Sequence, residues 1–516
     1  VPTPEARTHP GLAAARPVAV LRSVPWVAVL GVPAAAGCYV VAEPPHAWAV
    51  FGWIMPGLLV WSLRGLRPRA AAGAGFVCGM LAAWGVTGWV VGAAMRYFGD
   101  DTLGASALAL ALWLWCGGLP FAAFAWAWTR VGAGAPPALR GLVAAWLWVA
   151  LEWVRATALT GVPWTLLAHS QFRHPALIRI ADAGGAYAVA FVMVAVSVGV
   201  AEALRPMRGR TRAATLAAPT VLLAATLAWS LRPLPAATGP ERTVVLVQGN
   251  VQNELRWNPT YFARTLGAYL RLTGAATATE PDFVVWPENA VDFYLDAEPG
   301  LVPALRAVAR RTRHGLLFGG PRLAGAGQAR NAVHLMTPSG DAAPVHDKQH
   351  LVPGAEWTPW ATPAGDEPRY APGEDAAPVV AGGARLGITV CVEAVFSPLV
   401  RRLVAQDVGL LVNVANDAWI DAGDGGALWQ HFASVLFRAV EAGRPLLRVA
   451  STGVTAVVEP DGRIVDALPL HEPGTLVVRV REARGTTAYV RWGDAWILVV
   501  GVGLGALLLA RRWRTS

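Results

Sequence analysis

With 516 residues, 54% of them hydrophobic, 24 tryptophans and a mean hydropathy of +0.42, the chain is too apolar for an ordinary soluble protein and long enough for more than one domain. A formal net charge of +9 would suit a nucleic-acid partner only if the arginines cluster on a folded surface, so their positions decide that question. The four cysteines, Cys38, Cys78, Cys116 and Cys391, show no CxxC or Cys/His metal spacing, which indicates neither a disulfide framework nor a zinc site.

A transmembrane helix needs about 20 mostly apolar residues. An arginine-bearing polar segment leads into the first long apolar run, a pattern that suits a signal anchor better than a cleaved signal peptide. Seven candidate spans precede residue 235, at 24–42, 46–63, 70–95, 104–129, 139–157, 182–204 and 213–231, and an eighth, "AWILVVGVGLGALLLA", covers 495–510. The first two are short and carry Pro33 and Pro56. Short loops on one side hold fifteen arginines, against four on the other (Arg96, Arg155, Arg173 and Arg179). This bias puts both termini in the cytoplasm. The segment after the seventh span then lies on the extracytoplasmic side. The basic balance is therefore topological, and nucleic-acid binding is excluded.

The expected organisation is a membrane domain over 1–235, a globular domain over 236–490, and a last helix with a short basic tail over 491–516. Within the bundle, "LEWVRATALTGVPW" (151–164) sets Glu152 and Arg155 three residues apart at a helix end. Such charges are costly in a membrane and usually paired, so a structural ion pair is expected, with a lipid-headgroup contact as the alternative. The stretch "TLLAHSQFRHPALIRIA" (165–181) reads as a half-buried interfacial connection whose amphipathic character suits a lipid-facing surface.

From residue 243 the periodicity changes. "TVVLVQGNV", "DFVVWPENAV", "HGLLFGG", "NAVHLMTP", "LGITVCVEAVF", "VGLLVNVAND", "RPLLRVAS", "GVTAVVEPDGRIV" and "TLVVRVR" are short β-branched and aliphatic runs bounded by Gly, Pro, Asn or Asp, the signature of buried strands. Helical patterns at 258–276, 299–313 and 427–443 lie between some of them, so the insert reads as a layered α/β domain.

Three polar residues sit at or beside strand ends: Glu288 after "FVVWP", Lys348 after "APVHD", and Cys391 at the end of "LGITV". Lys348 is the only lysine in the chain, every other basic side chain being arginine. A carboxylate can take a thiol proton as general base, and an ammonium can lower a thiol pKa. The same ammonium can hold the oxygen of a tetrahedral intermediate as a point charge, without the geometry that a guanidinium fork demands. Taken singly, each has a plain structural reading: an inert buried cysteine, a helix-capping glutamate, a solvated loop lysine.

The motifs taken together resemble a known family. "VVWPEN", "DKQHLVPGAEWTP", "GITVCVEAVF" and "NVANDAW" are similar to the Glu–Lys–Cys signature of the nitrilase, or carbon–nitrogen hydrolase, superfamily. Seven helices, an external nitrilase-like domain and a last helix, with "LTGVPW", "WQHFASVLFRAVEAGRPLLR" and "STGVTAVVEPDG", resemble the apolipoprotein N-acyltransferase family of bacterial membrane enzymes. The resemblance implies a multi-pass helical bundle of about eight helices in the inner membrane, carrying an extracytoplasmic αββα sandwich. It implies transfer of an acyl chain from a phospholipid donor to the amino group of a diacylglyceryl-cysteine on a lipoprotein acceptor, through a cysteine thioester, with no cofactor and no metal.

By motif, the resemblance makes Glu288 the general base, Lys348 the oxyanion cation and Cys391 the nucleophile. It places the backbone N–H of Val392 as a second oxyanion donor, Glu356 and Glu393 as supporting carboxylates, and Trp257 as an aromatic beside the substrate path. The chain departs from the family pattern at Val392, where an aromatic is common, and at Gly354-Ala355, where Phe-Gly is common. A membrane-tethered amidase that hydrolyses a C–N bond, and a transporter or lipid-binding protein with a degenerate nitrilase domain, are the rival readings.

Overall fold

The computed structural model describes residues 26–98, 102–234, 237, 239–251, 258–325, 328–353, 356, 369–374 and 376–515. Trp257 and Gly354-Ala355 lie outside the described residues. The first part is a helical bundle of α1 (Trp26–Ala42), α2 (Val50–Ser62), α3 (Pro68–Thr87), α4 (Trp89–Phe98), α5 (Thr102–Gly132), α6 (Pro137–Thr157), α7 (Ala181–Ala203) and α8 (Gly209–Ser230). Among the described residues, α3, α5, α6, α7 and α8 are long and apolar enough to cross a membrane, while α1, α2 and Ala495–Ala510 are shorter apolar helices.

The single span expected over 70–95 divides at Gly88 into α3 and α4. Glycine is a poor helix former, and the Trp89 indole that opens α4 donates to Gln430 Oε1 of the globular domain at 3.1 Å. A tertiary bond thus sets the direction of the second piece. Helix α5 carries two widened turns, at Leu114–Gly118 and Trp128–Gly132. The first ends two residues before Pro120, which lacks an N–H to continue a regular ladder. Here α5 crosses α3 glycine to glycine. A Cβ on Gly79 would stand 2.2 Å from the Gly117 carbonyl oxygen, and one on Gly117 would stand 2.1 Å from that of Gly79. Only glycine permits this approach, the usual device for close helix contact in a bilayer.

The insert folds into two sheets. The first runs β13 (Gly474–Arg481), β1 (Glu241–Gln248), β2 (Phe283–Val285), β3 (Gly315–Leu323), β4 (Gln328–Met336) and β5 (Ala342–Asp347), with β6 (Arg369–Tyr370) paired to β4. The second runs β12 (Ile464–Ala467), β11 (Ala456–Val458), β10 (Leu446–Ala450), β9 (Leu410–Ala415), β8 (Ala384–Val390) and β7 (Val379–Ala381). Alternate residues of β1, β2, β8 and β9, such as Val244, Leu246, Phe283, Ile388 and Val412, fill the space between the sheets. The outer face of the first sheet is covered by α9 (Pro259–Ala276) and α10 (Val302–Ala309), whose Leu266, Tyr269 and Leu305 meet Val245, Val284 and Leu316. The outer face of the second is covered by α11 (Ser397–Val404) and α12 (Gly426–Ala442). The order is helix, sheet, sheet, helix.

The layer formed by α11 and α12 is shared with the bundle. One apolar cluster runs from Tyr39, Phe121 and Trp148 of the bundle into Leu399, Phe432, Leu436 and Val440 of the globular domain. Polar bonds lock it. Gln430 on α12 accepts from the indoles of Trp89 and Trp164, both at 3.1 Å, and donates to the carbonyls of Pro44 and Val86 at 3.0 and 2.9 Å. All four hydrogen-bonding positions of one amide are thereby tied to four places in the bundle.

The connection over 165–181 is half-buried as expected, and its buried part faces this layer while Arg173, His174 and Ala176 are exposed. Thr165 to Phe172 are buried, and the Ser434 hydroxyl of α12 lies 3.1 Å from His169 Nδ1. The expected ion pair is loose, with Arg155 4.0 Å from Glu152. Each partner chiefly holds main chain. Arg155 donates to the Trp164 and Thr165 carbonyls at 3.0 and 3.1 Å, while Glu152 accepts from the Leu167 N–H at 2.9 Å. The pair thus shapes the loop beneath the globular domain.

Candidate active site

Glu288 follows β2 through Trp286 and Pro287, in a turn that presses on β3. A Cβ on Gly319 would stand 2.6 Å from the Glu288 Cα, so glycine at this strand position lets the turn approach. Lys348 directly follows β5, and its side chain is almost completely buried. Cys391 opens a short 3-10 turn after β8 with φ of +51°. A non-glycine residue in that left-handed region is strained and persists only where surrounding bonds hold it. Here Asn413 donates to the Cys391 carbonyl at 3.2 Å and to the Thr389 hydroxyl at 3.1 Å.

Residues that lie 60 and 43 positions apart in the chain are thus drawn into one centre. Lys348 Nζ donates to Glu288 Oε1 at 3.0 Å and to Glu356 Oε1 at 2.9 Å. Asn331 of β4 donates to the same two carboxylates at 2.7 and 3.0 Å. The other Glu288 oxygen accepts from the Asn416 N–H at 2.7 Å. Glu356 also accepts from the Val352 N–H at 2.8 Å. Glu393 ties the lysine segment to the cysteine turn, because it accepts from His346 at 2.8 Å, from the Val390 N–H at 2.7 Å, and from the Gln349 N–H. Burial opposes the Glu393 charge, but His346 and these N–H groups outweigh it and hold its pKa below the usual carboxylate value.

The electrostatics differ from the expectation for the thiol. Burial, reinforced by the Glu288 carboxylate, pushes the Cys391 thiol well above its usual value, and the Lys348 ammonium offsets this only in part. Burial also acts against the ammonium, yet Glu288 and Glu356 outweigh it and keep Lys348 protonated. The resting centre therefore pairs a protonated thiol with a fixed cation, and a base must remove the thiol proton as it reacts.

Several buried polar residues that the sequence motifs contain, but whose roles spacing does not reveal, complete the surroundings. Arg448 of β10 donates to Asp417 Oδ2 at 2.7 Å and to Asn413, and Asp417 Oδ1 lies 2.8 Å from His431 Nδ1. The only signal in the sequence is a charge or amide inside an apolar strand, as in "PLLRVAS" and "LLVNVAND". Cys391, Asp417 and His431 could each bring one ligand atom within 4.8 Å of the others. The Asp417 oxygens are already engaged, and the Arg448 guanidinium supplies the local positive charge, so this cluster fits a hydrogen-bonded network rather than a cation site. An Arg448→Ala change would leave Asp417 and Asn413 buried without that donor, and is expected to cost about 3–5 kcal/mol. Unfolding of the detergent-solubilised protein would read it.

Two cavities lie at the boundary with the bundle, and the smaller of them reaches Cys391. The inner one, about 170 Å³, is lined by Cys391, Val392 and His431 from the globular domain and by Val86, Phe121 and Arg155 from the bundle. The outer one, about 610 Å³, lies between α4, α5 and the segment 349–353, with Val392, Phe396 and Trp419 on the domain side. Trp89, Trp164 and Val392 border both, so the residue after the nucleophile, an aliphatic one here, is part of their shared wall.

Comparison with known proteins agrees with this architecture. Residues 35–199 match the apolipoprotein N-acyltransferase N-terminal domain, and residues 243–489 match carbon-nitrogen hydrolase. An apolipoprotein N-acyltransferase of Ralstonia nicotianae is 32% identical over 98% of this chain and 96% of its own. The chain belongs to the apolipoprotein N-acyltransferase family. Another relative of that name, from Geobacter metallireducens, is 35% identical over 71% of this chain and 73% of its own. Among solved structures, the carbon-nitrogen hydrolase from Helicobacter pylori G27 aligns with 47% of this chain and 89% of that one, at 14% identity and a TM-score of 0.38. As a member of the apolipoprotein N-acyltransferase family with several long apolar helices, the chain is a multi-pass inner-membrane protein with a nitrilase-like domain.

Proposed function

We propose that the chain transfers an acyl chain from a phospholipid to the N-terminal amine of a diacylglyceryl-cysteine on a lipoprotein, by way of a thioester on Cys391. The observation that carries this reading is the position of the thiol, which opens into an apolar cavity walled by membrane helices. A small polar amide needs no such wall; a hydrocarbon chain does. The names of the relatives point the same way. The arginine bias supports an extracytoplasmic globular domain with both termini in the cytoplasm.

In the first half of the reaction Glu288 takes the thiol proton and the sulfur attacks a phospholipid ester carbonyl. Lys348 Nζ and the N–H of Val392, at the start of a helical turn whose first N–H groups have no intrahelical partner, hold the tetrahedral oxygen. The proton returns to the leaving lysophospholipid oxygen. Glu356 and Asn331 keep the lysine and glutamate in place, and Glu393 keeps the two segments together. In the second half the lipoprotein amine attacks the thioester, and an apolar chamber favours the amine over water. Trp257 is proposed as an aromatic along the substrate path.

Incubation with acyl-labelled phospholipid and a diacylglyceryl-cysteine peptide tests the assignment. Label on the peptide amine is the expected product, with alternating ping-pong kinetics. Release of ammonia from short amides without lipid transfer would replace this reading with that of a membrane-tethered amidase.

A further inference from the structure

His431 has no part in the steps above, yet it stands in the wall of the inner cavity with Cys391. It is almost wholly buried, and one of its ring nitrogens lies within 4.8 Å of the Cys391 sulfur. Asp417 Oδ1 is 2.8 Å from its Nδ1, and Arg448 Nη2 contacts both, at 2.7 Å from Asp417 Oδ2 and 3.1 Å from the same Nδ1. The shorter, carboxylate contact needs a proton between its two atoms; this assigns the hydrogen to Nδ1 and a lone pair to Nε2, and makes the Arg448 approach to Nδ1 a contact rather than a hydrogen bond. That Nε2 is buried and, among the described residues, has no hydrogen-bond partner. A buried polar atom without a partner is costly, and the residue that carries this one lines the same cavity as Cys391.

Burial and the neighbouring Arg448 cation lower the pKa of His431, so the resting ring is neutral and any imidazolium it forms is short-lived. The Trp164 indole lies against it, with ring centroids 5.2 Å apart and planes 29° apart. Glu288, by contrast, already receives Lys348, Asn331 and the Asn416 N–H. The two groups thus differ in their partners: Glu288 is tied to the lysine, and His431 is tied to Asp417.

We propose that His431, oriented by Asp417, is a second general base of this centre and takes a proton from the incoming amine in the acyl-transfer half of the reaction. This rests on the acyl-enzyme reading above. An α-amino group has a pKa of about 7.7–8.0 and arrives largely as ammonium at neutral pH; an ammonium has no lone pair with which to attack. His431 Nε2 accepts one proton and becomes imidazolium. The neutral amine then forms the C–N bond, and collapse of the tetrahedral intermediate breaks the C–S bond. The second nitrogen proton passes through Glu288 to the departing sulfur, which restores the Cys391 thiol. The imidazolium gives up its proton to solvent after the product leaves, so each cycle converts one ammonium and one thioester into one amide, one thiol and one released proton. Asp417 is a positioning residue in this scheme, fixing the tautomer.

The test separates the two halves. Wild type and His431→Gln are loaded with acyl-labelled phospholipid, then given either a diacylglyceryl-cysteine peptide or hydroxylamine, which is already neutral at pH 7. The variant is expected to accumulate label and to release it to hydroxylamine as wild type does, while transfer to the peptide falls about 10²–10⁴-fold. Equal losses with both acceptors, or undiminished transfer to the peptide, would overturn the proposal. So would absence of label on the variant when wild type is labelled, because His431 would then serve the thiol. Absence of label on wild type would remove the acyl-enzyme reading itself. A measurement on unaltered protein stands beside these: acyl transfer at pH 7 to amines of graded basicity should not track their neutral fraction, and strict proportionality would count against an internal base.

Discussion

A Cys391→Ala chain incubated with acyl-labelled phospholipid is expected to carry no hydroxylamine-labile label, and its transfer to a diacylglyceryl-cysteine peptide should fall by about 10⁴-fold or more. The size follows from the residue's position. In the proposed reaction its sulfur is the attacking atom; the residue lines the cavity between domain and bundle and feels the charges of Glu288 and Lys348. The alanine methyl occupies the same left-handed turn, held through the Asn413 bond to the main-chain carbonyl. The fold and the lipid cavity should therefore survive, which makes the loss chemical rather than structural. Mass spectrometry of the intact protein after exposure to phospholipid gives the second readout: one added acyl chain on wild type and none on the variant. Equal labelling of both would place the acyl group elsewhere and end the Cys391 assignment.

The second large effect is expected from Lys348→Arg, in which the formal charge is unchanged. Transfer should drop by about 10²–10³-fold, the loss usual for an oxyanion donor. Nζ sits in a fully enclosed position between Glu288 and Glu356, at 3.0 and 2.9 Å, with Asn331 bridging the same carboxylates. A compact ammonium can point one N–H at each carboxylate and keep a third for the oxyanion. A planar guanidinium is larger, and its donors diverge in fixed directions. It would fork onto the two carboxylates, displace Asn331 and turn no donor toward the sulfur. Rapid-quench measurement of label appearing on Cys391 checks this directly, since the first half of the reaction should slow even at saturating phospholipid. Full turnover in the variant would mean that any cation suffices and that the survival of one lysine in an arginine-rich chain has no chemical cause.

Both expectations rest on residues that can be named from the chain alone. The same holds for much of the architecture. Runs of about 20 apolar residues mark helices that must satisfy their own backbone in a bilayer, and the change to short Val/Leu/Ile runs after residue 243 marks the strands. Those signals are local, because they depend on the periodicity of one segment. "WPEN", "HDKQH" and "TVCVE" are local too, and motif resemblance joins them. The Gly88 break was not legible in this way, since a bond from Trp89 to Gln430, some 340 residues away, helps set it. Nor was the burial of 165–172, whose amphipathic pattern fits a lipid surface and a protein surface equally well.

The sequence by itself determined the class of the molecule and the family to which it belongs, and it supplied the residues proposed for its centre, because composition, periodicity and motif order are properties of the unfolded chain. Only the tertiary structure decided how those residues act on one another. The Cys391 thiol is pushed up because burial outweighs the nearby ammonium, and burial exists only once the two sheets and the bundle have closed around it. Asp417, His431 and Arg448 meet only where β9, α12 and β10 converge, and only the folded chain brings His431 into the wall of the cavity that Cys391 lines. Charges interact through space with a strength set by distance and surrounding dielectric, and neither quantity is written along the chain.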